Sequence, residues 1–182
     1  MQLDFDILFV DSSRELADLA VEQIGNNPKA FSELFDYTML QKKQLAMRSS
    51  RVVALLAEKY PSLVIPYFEK IIFCLENLKD NSVKRNFVWI LRIYSWHDDE
   101  NLLGKLIDTC FKFLLSEKEE IAVRAHSLAI LHNIAKKEKD IIPELLSTIE
   151  FVSINASSGL ANCCNKVYKS LRPIKKTLSL LK

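Results

Sequence analysis

The sequence predicts an all-α protein assembled from stacked helix pairs, and three observations carry that expectation. Only three of the 182 residues are Gly and five are Pro, too few to build long loops, so most of the chain must lie in helices joined by short turns. Apolar residues recur at helical spacing along nearly its whole length. Residues just inside the first helix of successive pairs keep a steady interval: Pro28, Pro66, Gly104 and Pro143 lie 38 or 39 residues apart. A helical-pair period near 40 is the mark of an α-solenoid, in which each pair buries its apolar face only by stacking on the next.

In order along the chain, Ser12 and Glu15 have the spacing of a capping box, which predicts a leading helix over residues 13–24, stopped by Gly25-Asn26-Asn27. Asn27-Pro28 restarts the chain. Asparagine accepts a hydrogen bond from the new turn, and proline loses nothing at the first helical position. The second helix runs to about Leu40 with Phe31, Leu34 and Phe35 inward. Leu45, Val52, Leu55 and Leu56 mark a helix from Lys42 to Lys59, broken by Tyr60-Pro61. A helix from Ser62 to Leu78 contains Pro66, expected to bend its beginning. After a turn at 79–82, Val83 to Tyr94 is helical, with Phe87, Ile90, Leu91 and Tyr94 on one side.

Trp96-His97-Asp98-Asp99 forms the next break, Asn101 to Leu115 a helix and Ser116-Glu117-Lys118 a turn. The stretch 119–149 shows the unit most clearly. Ile121, Ala125, Leu128, Leu131 and Ala135 make one apolar stripe and Val123, Ile130 and Ile134 a second, so this helix is buried on more than one side. A charged break at 136–140 follows, then a helix begun through Pro143. Residues 153–158 are a polar turn, Gly159 to Leu171 a helix, and Pro173 begins a short last one. The expected domain is thus single, 1–182, with a leading helix at 13–24, four pairs over 27–171 and a trailing helix at 173–182.

The second helices read MRSSRVVALLA from Met47 and VRAHSLAILHN from Val123, with looser copies VKRNFVWILRI from Val83 and GLANCCNKVYK from Gly159. The proline-opened first helix, short polar turn and Val-Arg-x-x-Ala-like second helix resemble HEAT repeats. Two departures stand out: the usual Asp-Pro in the turn inside each pair is missing, and Leu160 stands where the fourth Arg would fall. The resemblance implies a right-handed α-α superhelix whose second helices line the concave face. The chain also resembles short bacterial HEAT-like proteins, some of them labelled adenylosuccinate lyase. That lyase's serine-bearing loop with Met, Pro and Lys has no counterpart here, Ser157-Ser158-Gly159 being the nearest serine pair, so no lyase activity is implied.

Composition narrows the function classes. Residues 1–40 hold eight acids against two bases, while after Glu150 there are six bases and no acid, within a net charge of +2. An acidic beginning and a basic end invite weak head-to-tail self-association of an otherwise monomeric chain. The first ten residues carry two Asp and no base, and Ile7 to Val10 is too short an apolar run for a signal or a membrane span. A cytoplasmic protein is expected. Cys74, Cys110, Cys163 and Cys164 fall inside helical patterns without ligand spacing, so reduced core thiols are expected, and neither a metal nor another cofactor.

Arg85, Trp89, Arg92 and Trp96 share one stripe of a second helix. They form either a guanidinium and aromatic track for a base or an acidic peptide, or packing aromatics with arginines laid along them in solvent. Arg48, Arg51 and Arg124 also belong to second helices. They either contact phosphates and carboxylates of a partner or, as the resemblance implies, bind backbone or acidic groups of their own or an adjacent repeat. His97, Asp98 and Asp99 are the one cluster of acid-base groups, more simply read with Asp98 or Asp99 as the N-cap of the following helix. His126 and His132 do not share a ligand-ready face. Cys163-Cys164 point apart on a helix and are read as core thiols rather than a redox pair. The basic stretch from Lys166 to Lys182 suits either an anionic partner or the helix dipole and solubility.

The function expected is therefore that of a non-catalytic scaffold holding a protein or peptide. The alternative is a nucleic-acid binder related in fold to alkylpurine DNA glycosylases, which are similar in carrying tryptophans on a basic concave face, as with Trp89, Trp96 and Arg92. Their Asp lies on a helix among the tryptophans, whereas Asp98 and Asp99 sit in a break, and +2 is a weak charge for a DNA binder.

Overall fold

The computed structural model describes residues 4–94 and 98–180, with the side chains of all but residue 43 and residues 175–180. Every regular element among them is helical. They form two compact units, divided between Ile93 and Tyr94.

The first unit begins with a single turn, α1 (Phe5–Leu8), and the leading helix α2 (Arg14–Ile24). The cap of α2 is Ser13 and not Ser12: its hydroxyl accepts from the Leu16 N–H at 3.3 Å. Gly25 ends α2 at φ 53, ψ −146, backbone angles that a side chain would resist, while its N–H still reaches the Val21 carbonyl. In α3 (Pro28–Met39), Asn27 accepts from the Lys29 and Ala30 N–H groups with Pro28 at the first position, as the sequence expects.

The central helix of this unit is α4 (Lys43–Lys59), which packs against α2, α3, the short α5 (Pro61–Val64) and α7 (Asn81–Ile93). It can have so many neighbours because Ala46, Ser49, Ser50, Ala54 and Ala57 are small and all buried, so other helices approach its backbone on several sides. Larger groups fill the space around it. Phe35 stacks on Phe87 at 5.6 Å between ring centroids and lies 4.5 Å from Tyr67. Phe31, Phe35 and Phe87 are fully buried, each contributing about 1.5–3 kcal/mol relative to exposure.

The single helix expected from Ser62 to Leu78 is instead broken into α5, a 3₁₀ turn (Ile65–Tyr67), α6 (Phe68–Cys74) and a second 3₁₀ turn (Leu75–Asn77). Pro66 has no N–H for the Ser62 carbonyl and its ring crowds that carbonyl, so a helix starting several residues earlier cannot pass through it unbroken. Asp80 caps α7 by accepting from the Ser82 and Val83 N–H groups.

In the second unit, α8 (Glu100–Leu115) and α9 (Ile121–Ala135) form an antiparallel pair, followed by a 3₁₀ turn (Lys139–Ile141), α10 (Ile142–Ser153) and α11 (Ser158–Leu180). Packing is like on like: α10 lies against α8, and α11 against both α10 and α9. The two-sided burial expected for α9 holds for Val123, Leu128, Ile130, Leu131, Ile134 and Ala135, but Ile121, in its first turn, is 52% exposed. The separate trailing helix expected at 173 is absent. Pro173 sits inside α11, where it forfeits one bond to the Lys169 carbonyl while the helix continues on both sides.

The period of the sequence reappears as hydrogen bonds inside each unit. The Gln41 side chain accepts from the N–H groups of Lys79 and Asp80, 38 and 39 residues away, fixing a residue whose own φ of 50 is left-handed. His132 Nε2 and Ser170 Oγ, 38 residues apart, are 3.1 Å from one another. Two arginines of α4 do the same with the beginning of the chain.

Candidate functional site

Arg48 and Arg51 are three residues apart, so both leave one face of α4. That face meets the segment between α1 and α2. Arg48 Nη1 donates to the carbonyl oxygens of Phe9 at 2.6 Å and Val10 at 2.8 Å, and its Nη2 reaches Gln44 Oε1 at 3.5 Å. Its Nε is buried without a hydrogen-bond partner. Arg51 Nη1 donates to the Ser12 carbonyl at 3.3 Å. From the other side, α7 is tied to α4 by Asn86, whose amide donates to the Ser50 hydroxyl at 2.8 Å; that hydroxyl in turn donates to the Met47 carbonyl.

These elements enclose a cavity of about 410 Å³, open to solvent, into which Arg48, Arg51 and Arg85 are brought together with Asp11, Ser12 and Ser13. The side chain of Arg85, half-buried on α7, makes no hydrogen bond or ion pair among the described residues. Asp11 is the one carboxylate of the lining. The Ser13 backbone N–H at 2.7 Å, then the Ser13 hydroxyl, and also the charge of Arg48, hold its carboxyl below the usual carboxylate range. Three guanidinium groups thus face one ionised acid. Ser13 caps α2, so the positive end of that helix's dipole adds to the field.

Of the seven expected stripe residues, then, Arg48, Arg51 and Arg85 meet at one cavity. Trp89 is half-buried and Arg92 exposed on α7, and neither lines it; Trp96 and His97 lie outside the described residues. Arg124 is in the second unit, only 9% exposed, and its Nε donates to the Leu114 carbonyl at 3.1 Å in the last turn of α8. Asp99 accepts from the Asn101 and Leu102 N–H groups as the N-cap of α8, and Asp98 is exposed.

The cysteines are free thiols. Burial pushes Cys110 up to about 12 and Cys74 to about 11, and raises Cys164, so all three are poor thiolates. Lys166, Lys169 and Arg172 are exposed on α11. Among the described residues no group of three or more His, Cys, Asp and Glu could hold a metal ion, and no helix is long and apolar enough to cross a membrane.

Asp11, Ser13 and Asn86 are not singled out by any local spacing, and Ser12 only as a cap that Ser13 provides instead. The period could have found Ser12: one repeat before Arg48 and Arg51 lie Phe9 and Ser12, the residues whose carbonyls they bind, 39 positions away in each case.

No characterised protein and no solved structure gives a significant match to the chain. The HEAT repeat domain matches residues 7–171, which takes in every helix from α2 to α10 and most of α11. With that match over most of its length, and with helix pairs, period and backbone-binding arginines of the kind such repeats require, the chain belongs to the HEAT-repeat family.

Proposed function

We propose that the protein is a non-catalytic scaffold that binds an acidic segment of a protein partner along the second helices α4 and α7 of its first unit. Membership of the HEAT-repeat family carries this reading: stacked helix pairs bury their apolar sides on one another and leave the outward residues of successive second helices as one continuous surface. The positions that surface offers here are basic and aromatic. Arg51 and Arg85 are half-buried, Arg92 is exposed, and Trp89 is half-buried, so a chain with carboxylates would find both charge and a flat apolar ring.

The test is a titration of a Glu-rich peptide, duplex DNA and single-stranded RNA across a salt series, with Trp89→Ala and Arg92→Ala alongside. The peptide is expected to bind in a salt-dependent way and to weaken in both variants, by about fivefold or more. Tighter binding of either nucleic acid under the same conditions would transfer the surface to the alternative partner class. No binding of any probe at low salt would remove the reading.

A further inference from the structure

We infer that the cavity between α4, α7 and residues 9–13 receives a phosphate monoester carried on a side chain of the partner. This deepens the scaffold reading by naming the group that the surface is built to grip, and it rests on that reading for the partner being a protein.

The first support is donor supply. Arg48 commits its Nη1 to two backbone carbonyls, Arg51 commits one N–H to a third, and Arg85 commits none. Each guanidinium has five N–H donors, so most of those on Arg51 and all of those on Arg85 remain for a ligand. Paired planar forks suit the tetrahedral face of a phosphate. The second support is charge: the lining holds three guanidinium groups and one carboxylate. A monoester carries about −1.5 to −2 at neutral pH, which matches the residual charge of the pocket; a single carboxylate leaves half of it unmet. The third is anchoring. Arg48 is held by the carbonyls of Phe9 and Val10, so one side of the pocket is fixed before a ligand arrives and less ordering is needed on binding.

The surroundings argue against a nucleic-acid strand. Its diesters carry one charge each and repeat along a line, which requires an extended basic track. Here the guanidinium groups converge on one cavity beside a single lining carboxylate, Asp11. A single phosphorylated side chain needs no such track.

The experiment follows the side-chain Nε–Hε signals of the full chain by NMR during titration. The probes are a Gly-Gly-phosphoSer-Gly-Gly peptide, the same peptide with Ser or with Asp, inorganic phosphate, and a dT oligonucleotide, with sodium chloride as the ionic-strength control. The phosphopeptide is expected to shift the Arg51 and Arg85 signals, with inorganic phosphate acting at the same signals more weakly. Arg85→Gln, which removes no side-chain hydrogen bond or ion pair among the described residues, should keep the fold and weaken phosphopeptide binding about tenfold or more.

Equal binding of the Asp peptide would overturn the phosphate assignment while leaving an acidic-segment scaffold standing. Tighter binding of the oligonucleotide would overturn both. Shifts that persist unchanged in Arg85→Gln, or no shift with the phosphopeptide up to about 10 mM, would overturn the site while the Trp89 and Arg92 titration decides the scaffold separately.

Discussion

Arg48 and Arg124 hold the same place in the sequence pattern of the second helices, yet the two units use them differently. Arg124 is 9% exposed and closes its own pair: its Nε satisfies the Leu114 carbonyl, one of the last in α8 that no helical N–H can reach. Arg48 is half-buried and reaches out of its pair, to the carbonyls at the end of α1, 38 and 39 residues earlier. Both therefore do one chemical job, supplying charged donors to the orphan carbonyls of a helix C-terminus. The difference is whose carbonyls. A single repeat position can lock a pair internally or bind the chain that precedes it, and only the second use leaves a guanidinium beside open space. The looser copies fit the same comparison: Lys84 is still a cation and is 7% exposed, while Leu160 has become apolar and is fully buried.

The sharpest break of this comparison is Arg124→Ala. It strips a nearly buried carbonyl of its charged donor and leaves a void between helices, with an expected cost of about 2–3 kcal/mol. Because two compact units need not unfold together, amide hydrogen exchange read separately in α9 and α4 is the appropriate measure. Protection should fall in α9 and hold in α4. Equal losses in both helices would mean that the residue is not a local lock of the second unit.

Arg48→Ala should cost less, about 1–2 kcal/mol, since its carbonyl partners can turn to water. Its effect should fall first on amides of residues 5–13, whose exchange is expected to quicken while α4 stays protected. A cost larger than that of Arg124→Ala would invert the comparison.

The smallest expected effect concerns acid. The sequence places no histidine in residues 1–93. In the second unit, burial and then the charge of Lys136 hold His132 below its ordinary 6.5. The unfolded chain therefore takes up that proton first as the pH falls below about 6.5, and the stability present above that value is lost on the way down to the folded pKa. Between about pH 7.5 and pH 5, α9 and α11 should lose more protection in the parent protein than in His132→Gln, by less than about 1 kcal/mol. A larger acid loss in α4 than in α9 would show that carboxylates, and not this histidine, set the response.

Much of the fold is legible in the sequence because caps and periodicity are local. Asn27-Pro28 and Asp99 each act over a single turn, and α3 and α8 begin where they indicate. The misreadings occur where two local rules compete. Pro66 breaks a helix in which four residues precede it, whereas Pro173 is carried inside a helix already fifteen residues long. Between adjacent serines, only the fold decides that Ser13 is the cap and that the Ser12 carbonyl is left for Arg51. The cavity is of the same kind. Arg48 and Arg51 are visible as a helix face, but their meeting with Arg85 and Asp11 depends on three separated stretches of chain.

The hold of Arg48 on Phe9 and Val10 also sets an order in time. As a four-residue turn, α1 lies far below the length at which a helix persists alone, and its fastening sits on a residue some forty positions further along. During folding, α2 and Tyr37 of α3 can meet α1 first, through Asp6 and the rings of Phe5 and Phe9, but the backbone fastening is added only once α4 is formed. Thus α1 is fully secured only by a helix that lies one repeat further along.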